Sequence, residues 1–169
     1  MFELNKIQAK LNIVNPRAEK HGAENVMAAD LGFTIKVSND FLSEFHPKLK
    51  SAFYEKSDSP QEELEDDGNH LPQCKFNKMG SLRWDLELND YDFIFHYGIG
   101  GKSNVQLQEC TVDKFSFVME DGGTVVISFK VSGHPTPQQL GQLCEQIQNN
   151  VDISLEYSEP PQQEDFVQE

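Results

Sequence analysis

The residues best suited to chemistry are few. His70 and Cys74 are an imidazole and a thiol four positions apart, types and spacing that make half a zinc site. Structural zinc takes four ligands, and no second pair stands at ligand spacing, so the sequence predicts no metal site. Gly98-Ile99-Gly100-Gly101-Lys102-Ser103 ends like a phosphate-binding loop. That loop needs a glycine five positions before its Gly-Lys-Ser, where this chain has His96, and it must open a helix. Strand-like alternation follows Ser103 instead, so the segment reads as a hairpin turn.

Covalent catalysis needs a Ser or Cys beside a base and an orienting acid. Cys110 alternates with Val112, and Cys144 lies on the apolar face of a helical stretch, so both read as core. No serine sits in a Gly-x-Ser-x-Gly elbow. His96 falls on the polar face of an aromatic strand, and His134, before Pro135, reads as a cap or turn residue. The expectation is therefore no catalytic residue, no metal ligand, no cofactor and no enzyme. Tyr91, Phe93, Phe95 and Tyr97 make an aromatic stripe of the kind that stacks on bases. Such platforms sit in basic grooves, whereas this one has Asp85, Glu87, Asp90 and Asp92 as neighbours, so the stripe reads as core.

Charge is the most informative bulk property. Lys plus Arg is 14 against 28 Asp plus Glu, a net −14 over 169 residues. A chain this acidic is repelled by nucleic acid and by anionic membranes, which leaves the basic face of a protein as the expected partner. The natural example is a protein that itself binds nucleic acid. The candidate partner-binding residues are Glu62, Glu63, Glu65, Asp66 and Asp67, with Glu164 and Asp165 near the C-terminus. A rigid scaffold carrying carboxylates at phosphate-like spacing would act as a DNA mimic. Two other functions remain open at this level. One is an accessory of DNA metabolism, a recombination or single-strand-binding partner using strand 91–97 and Lys102. The other is a structural or virion subunit, with which homo-oligomerisation would fit.

The elements that must position these residues are mostly strands. Ile7, Ala9, Leu11 and Ile13 alternate with polar residues, as do Leu31, Phe33, Ile35 and Val37. Asn15-Pro16 and the polar run to Asn25 read as a loop. Phe41, Phe45, Leu49 and Phe53 recur every fourth residue, giving a helical turn capped near Ser38 and a second helix from Pro47. Residues 55–75 read as a long acidic loop. Residues 82–88 and 91–97 read as a hairpin across Asn89-Asp90, and 104–119 as a strand whose apolar phase shifts, a β-bulge signal. Asp121-Gly122-Gly123 turns into Val125, Ile127, Phe129 and Val131. Thr136-Pro137-Gln138-Gln139 is a capping box opening a helix with Leu140, Leu143, Cys144 and Ile147 on one face. Val151, Ile153, Leu155 and Tyr157 end the series as a last strand. The sum is a mainly β chain with two helical segments (α+β), expected as a two-layer antiparallel β-sandwich with a C-terminal helix and final strand. Residues 1–157 form one domain with the acidic loop 55–75, and 158–169 form an acidic, mobile tail.

Three widely spaced cysteines and an N-terminus without a signal-peptide pattern point to a reducing cytoplasm. Val14-Asn15-Pro16-Arg17 through Ala29-Asp30-Leu31, then Asp121-Gly122-Gly123-Thr124-Val125 through His134-Pro135 to Leu143-Cys144 and Ile147-Gln148, resemble small proteins of tailed-phage and prophage genomes. That group has no assigned activity, so no residue role is carried over. The resemblance implies a bacterial host cytoplasm and a gene serving phage replication or counter-defence.

Overall fold

The computed structural model describes residues 1–58 and 70–162. In chain order the elements are β1 (Leu4–His21), β2 (Glu24–Ser38), a 3-10 turn (Asn39–Glu44), α1 (Leu49–Phe53), β3 (Tyr54–Glu55), β4 (Gln73–Cys74), β5 (Leu82–Trp84), β6 (Leu88–His96), a second 3-10 turn (Gly101–Ser103), β7 (Val105–Glu120), β8 (Thr124–Gly133), α2 (Pro137–Glu145) and β9 (Asn150–Tyr157).

β1 pairs with β2, β2 with β8, β8 with β7, β7 with β6, β6 with β9 and β9 with β1, every pair antiparallel. The circuit closes on itself as a six-stranded β-barrel. This corrects the two-layer sandwich expected from the sequence. Period-two alternation says that each strand has one buried face; it does not say whether the sheet opens or closes. Closure depends on bends. Five register shifts each add one residue to one strand, and four of the added segments hold a non-glycine residue at positive φ: Lys6 (46°), Asp90 (62°), Glu109 (54°) and Lys114 (57°). Such bulges bend a strand and sharpen its twist, which is what a narrow barrel requires. Two of these four, at Glu109 and Lys114, fall inside 104–119, where the apolar phase shift signals a β-bulge.

Three further corrections follow. The expected loop 15–25 is strand: β1 runs on to His21 and turns through Gly22-Ala23 into β2, with His21 opposite Glu24. Gly22 (φ 67°) is the positive-φ residue that a two-residue hairpin turn needs. Pro16 is tolerated because β9 reaches only to Lys10, so no neighbour on that side needs its missing N–H. The expected 82–97 hairpin does not form: β5 pairs with β7, and Asp90 is a bulge inside β6. Cys144 faces solvent rather than core, since only Leu143 of α2 is buried.

Side chains fill the barrel. Phe33, Phe93, Phe95, Phe115, Phe117 and Phe129 are all at most 3% exposed. Phe2 plugs one end against Phe41, Phe45, Phe115 and Phe129 at ring distances of 5.1–5.8 Å. The described lumen is thus packed with core side chains. Among the described residues no helix is long and apolar enough to cross a membrane.

Candidate functional site

The sequence candidates Glu62, Glu63, Glu65, Asp66, Asp67, Glu164 and Asp165 lie outside the described residues. A different acidic surface is built by the barrel itself. β6 and β9 place Asp92 directly opposite Glu156. Like charges facing each other across antiparallel strands destabilise the pair. The bulge residues Asp90 and Glu109 add two more carboxylates. Asp90, Asp92, Glu109 and Glu159 line one groove of about 270 Å³, walled by Gln108 and by Ser158, Pro160 and Pro161 of the segment leaving β9. Ser158 N–H donates to the Asp90 carbonyl (2.8 Å), tying that segment to β6. Among the described residues, none of these five carboxylates takes part in an ion pair; Glu19, Asp30, Asp40, Glu44 and Asp113 do. Sequence reasoning used Asp90 as a turn residue, and Asp90 and Asp92 to discount base stacking. The signal that joins them to Glu156 is strand register, which alternation alone does not fix.

Three of the four aromatics of the stripe are buried, and Tyr97, just past β6, is half-buried. Tyr91, Phe93 and Phe95 are 2%, 0% and 2% exposed, so they face the lumen and have no free face for a base. Tyr91 donates its hydroxyl to the Phe2 carbonyl at 2.8 Å. The glycine-rich turn is closed by its own bonds: Ser103 Oγ donates to the Tyr97 carbonyl (2.6 Å), and Asn104 Oδ1 accepts from Tyr97 N–H (3.0 Å).

One pair has the composition of a nucleophile and its base. Ser154 Oγ lies 2.7 Å from His96 Nε2. Ser154 is only 3% exposed, and its oxygen also accepts the Lys6 N–H at 2.9 Å. That N–H belongs to the extra residue of a bulge and has no ladder partner, so the serine satisfies the backbone. The pair locks β1, β6 and β9 together.

A cleft of about 660 Å³ lies between β5 and the Lys114 bulge. Trp84, Leu86 and Phe115 give it apolar walls, while Arg83, Lys114, Asp85 and Glu87 bring charges of both signs. Asp113 Oδ1 is buried there without a hydrogen bond, 3.6 Å from Lys130 Nζ.

A connected polar network occupies the end of the β1–β2 ribbon. Ser132 Oγ donates to Asp30 Oδ1 (2.7 Å), and Arg17 Nε bridges both Asp30 oxygens (3.2 and 3.1 Å). Arg17 also reaches Glu19 Oε1. The second oxygen, Glu19 Oε2, meets His21 Nε2 at 3.2 Å and His134 Nε2 at 2.8 Å. Hydrogen bonding from His134, then His21 and Arg17, holds the Glu19 carboxyl down at about 2. His134 is thus a partner of Glu19, beyond the cap role expected for it. Reading 15–25 as loop hid the Arg17, Glu19, His21 alternation, which puts all three side chains on one strand face.

Cys74 is buried, and its N–H donates to Asp121 Oδ1 at 3.0 Å. No family model, no curated protein and no solved structure matches this chain.

Proposed function

We propose that this chain is a non-enzymatic acidic binding protein that docks the basic face of a protein partner. The observation that carries the reading is the Asp92–Glu156 pair. A folded protein that keeps two like charges opposite each other, next to Asp90, Glu109 and Glu159 and without an internal cation, breaks a local rule of sheet stability. A cation supplied from outside resolves the conflict, so partner binding neutralises what folding alone leaves repelling. The sequence candidates Glu62, Glu63, Glu65, Asp66, Asp67, Glu164 and Asp165 are assigned to the same role on charge alone. Given the resemblance to phage proteins, the partner class is a host or phage protein with a basic nucleic-acid-binding groove. The chain then acts as a counter-defence inhibitor in the bacterial cytoplasm, its carboxylate rows standing in for phosphates.

Affinity capture of the tagged protein from bacterial lysate tests this, at low and at high salt. A stoichiometric basic partner held at low salt and released at high salt is the expected result, because exposed charge pairs are screened. A complex indifferent to salt overturns the electrostatic mechanism.

A further inference from the structure

We propose that Glu19, His21 and His134 form a binding site for one divalent transition-metal ion of the zinc class. Three donor atoms, one carboxylate oxygen and two imidazole nitrogens, lie within 4.8 Å of one another. Tetrahedral zinc with bonds of about 2.0–2.1 Å sets its ligand atoms roughly 3.3 Å apart. The two oxygen-to-nitrogen separations, 3.2 and 2.8 Å, are already close to that edge length. Both imidazole nitrogens point at one oxygen. A single cation between them satisfies all three donors at once.

The surroundings favour a metal over a plain ion pair. Arg17 takes Oε1 of Glu19 and is itself held by Asp30, which Ser132 holds in turn. That relay fixes the carboxylate and leaves Oε2 facing the two rings, the role that outer-shell partners play around bound metals. Asp30 and Glu19 together offset the Arg17 charge. Two nitrogens and one oxygen suit zinc, nickel or copper; magnesium and calcium prefer all-oxygen shells. With side chains of His21 and His134 55% and 42% exposed, a fourth coordination position faces solvent.

The ion would act as a clip. Beyond the Ala29–Gly133 pair, β2 has no further partner in β8, and residues 17–28 of the ribbon pair only with each other. Glu19 and His21 sit on that ribbon, and His134 follows β8 on the barrel. A bridging metal fixes the ribbon to the barrel wall.

The test is zinc chloride titrated into the full chain by calorimetry, with the unfolding midpoint read alongside. Expected are one zinc per chain, a raised midpoint, and no response to magnesium. His21→Ala and His134→Ala should each weaken zinc more than about 100-fold, Arg17→Ala about 10-fold, while His46→Ala, elsewhere in the fold, keeps full binding. Cobalt added to the unmodified chain reads the ligand set without any variant: a four-coordinate visible spectrum, displaced by zinc, is expected. No zinc uptake, uptake undiminished in both histidine variants, or a thiolate-type cobalt spectrum overturns the site.

Discussion

Glu19 and His134 stand 115 residues apart in the chain, yet Oε2 of one lies 2.8 Å from Nε2 of the other. The contact joins the free end of the β1–β2 ribbon to the exit of β8. It gives the ribbon a polar attachment to the barrel where no backbone ladder reaches it.

That contact makes stability respond to acid. The folded Glu19 carboxyl titrates at about 2, below its ordinary 4.5. A depressed carboxylate contributes stability that is fully present above the unfolded value and is lost as pH falls through the folded one. Between pH 4.5 and 2, unfolding midpoints of the wild type should therefore fall more steeply than those of Glu19→Gln. Parallel curves would show that the contact contributes nothing in solution.

Removing a charge from the acidic face should stabilise the fold. Asp92→Asn relieves the repulsion from Glu156, and cross-strand pairs of this kind change stability by about 0.2–1 kcal/mol. Urea denaturation at low salt should show a higher midpoint for the variant, with the gain shrinking as salt is added. A lower midpoint would mean that Asp92 has an internal role that the ion-pair geometry does not reveal.

Ser154 is structural on this account. Ser154→Ala leaves the bulged Lys6 N–H without its acceptor, an omission that costs about 1–3 kcal/mol for a buried group. Chemical denaturation measures it directly. A loss near zero would mean that water replaces the hydroxyl.

The cysteines should separate by exposure. Cys144 is exposed, whereas Cys110 is fully buried and burial pushes its thiol up to about 12. A thiol reagent at neutral pH should modify Cys144 in the native protein and reach Cys74 and Cys110 only after denaturant is added. Rapid native labelling of all three would contradict the core packing.

Much of the fold was legible in the chain. Leu31 to Val37 and Val125 to Val131 alternate cleanly, and Thr136 with Gln139 forms the capping box that the sequence announces. Barrel closure was not legible, because alternation does not say whether a sheet opens or closes, and the bulges at Lys6 and Asp90 have no glycine to mark them. The polar network was missed for a different reason. Pro16 and the charged residues after it suggest a loop, but a ribbon edge with no neighbouring strand tolerates both. The Asp92–Glu156 face was not legible: total charge led to Glu62, Glu63, Glu65, Asp66 and Asp67 and to Glu164 and Asp165, while the Asp92–Glu156 register comes only from pairing across β6 and β9.

The most direct measurement compares capture by the wild type and by an Asp92→Asn/Glu109→Gln/Glu156→Gln variant from the same bacterial lysate, at low and high salt. The account predicts a basic partner held stoichiometrically by the wild type at low salt, lost at high salt, and lost by the folded triple variant at both. A partner retained equally by the variant, or no partner for the wild type at low salt, would contradict the claim that this face is where the protein acts.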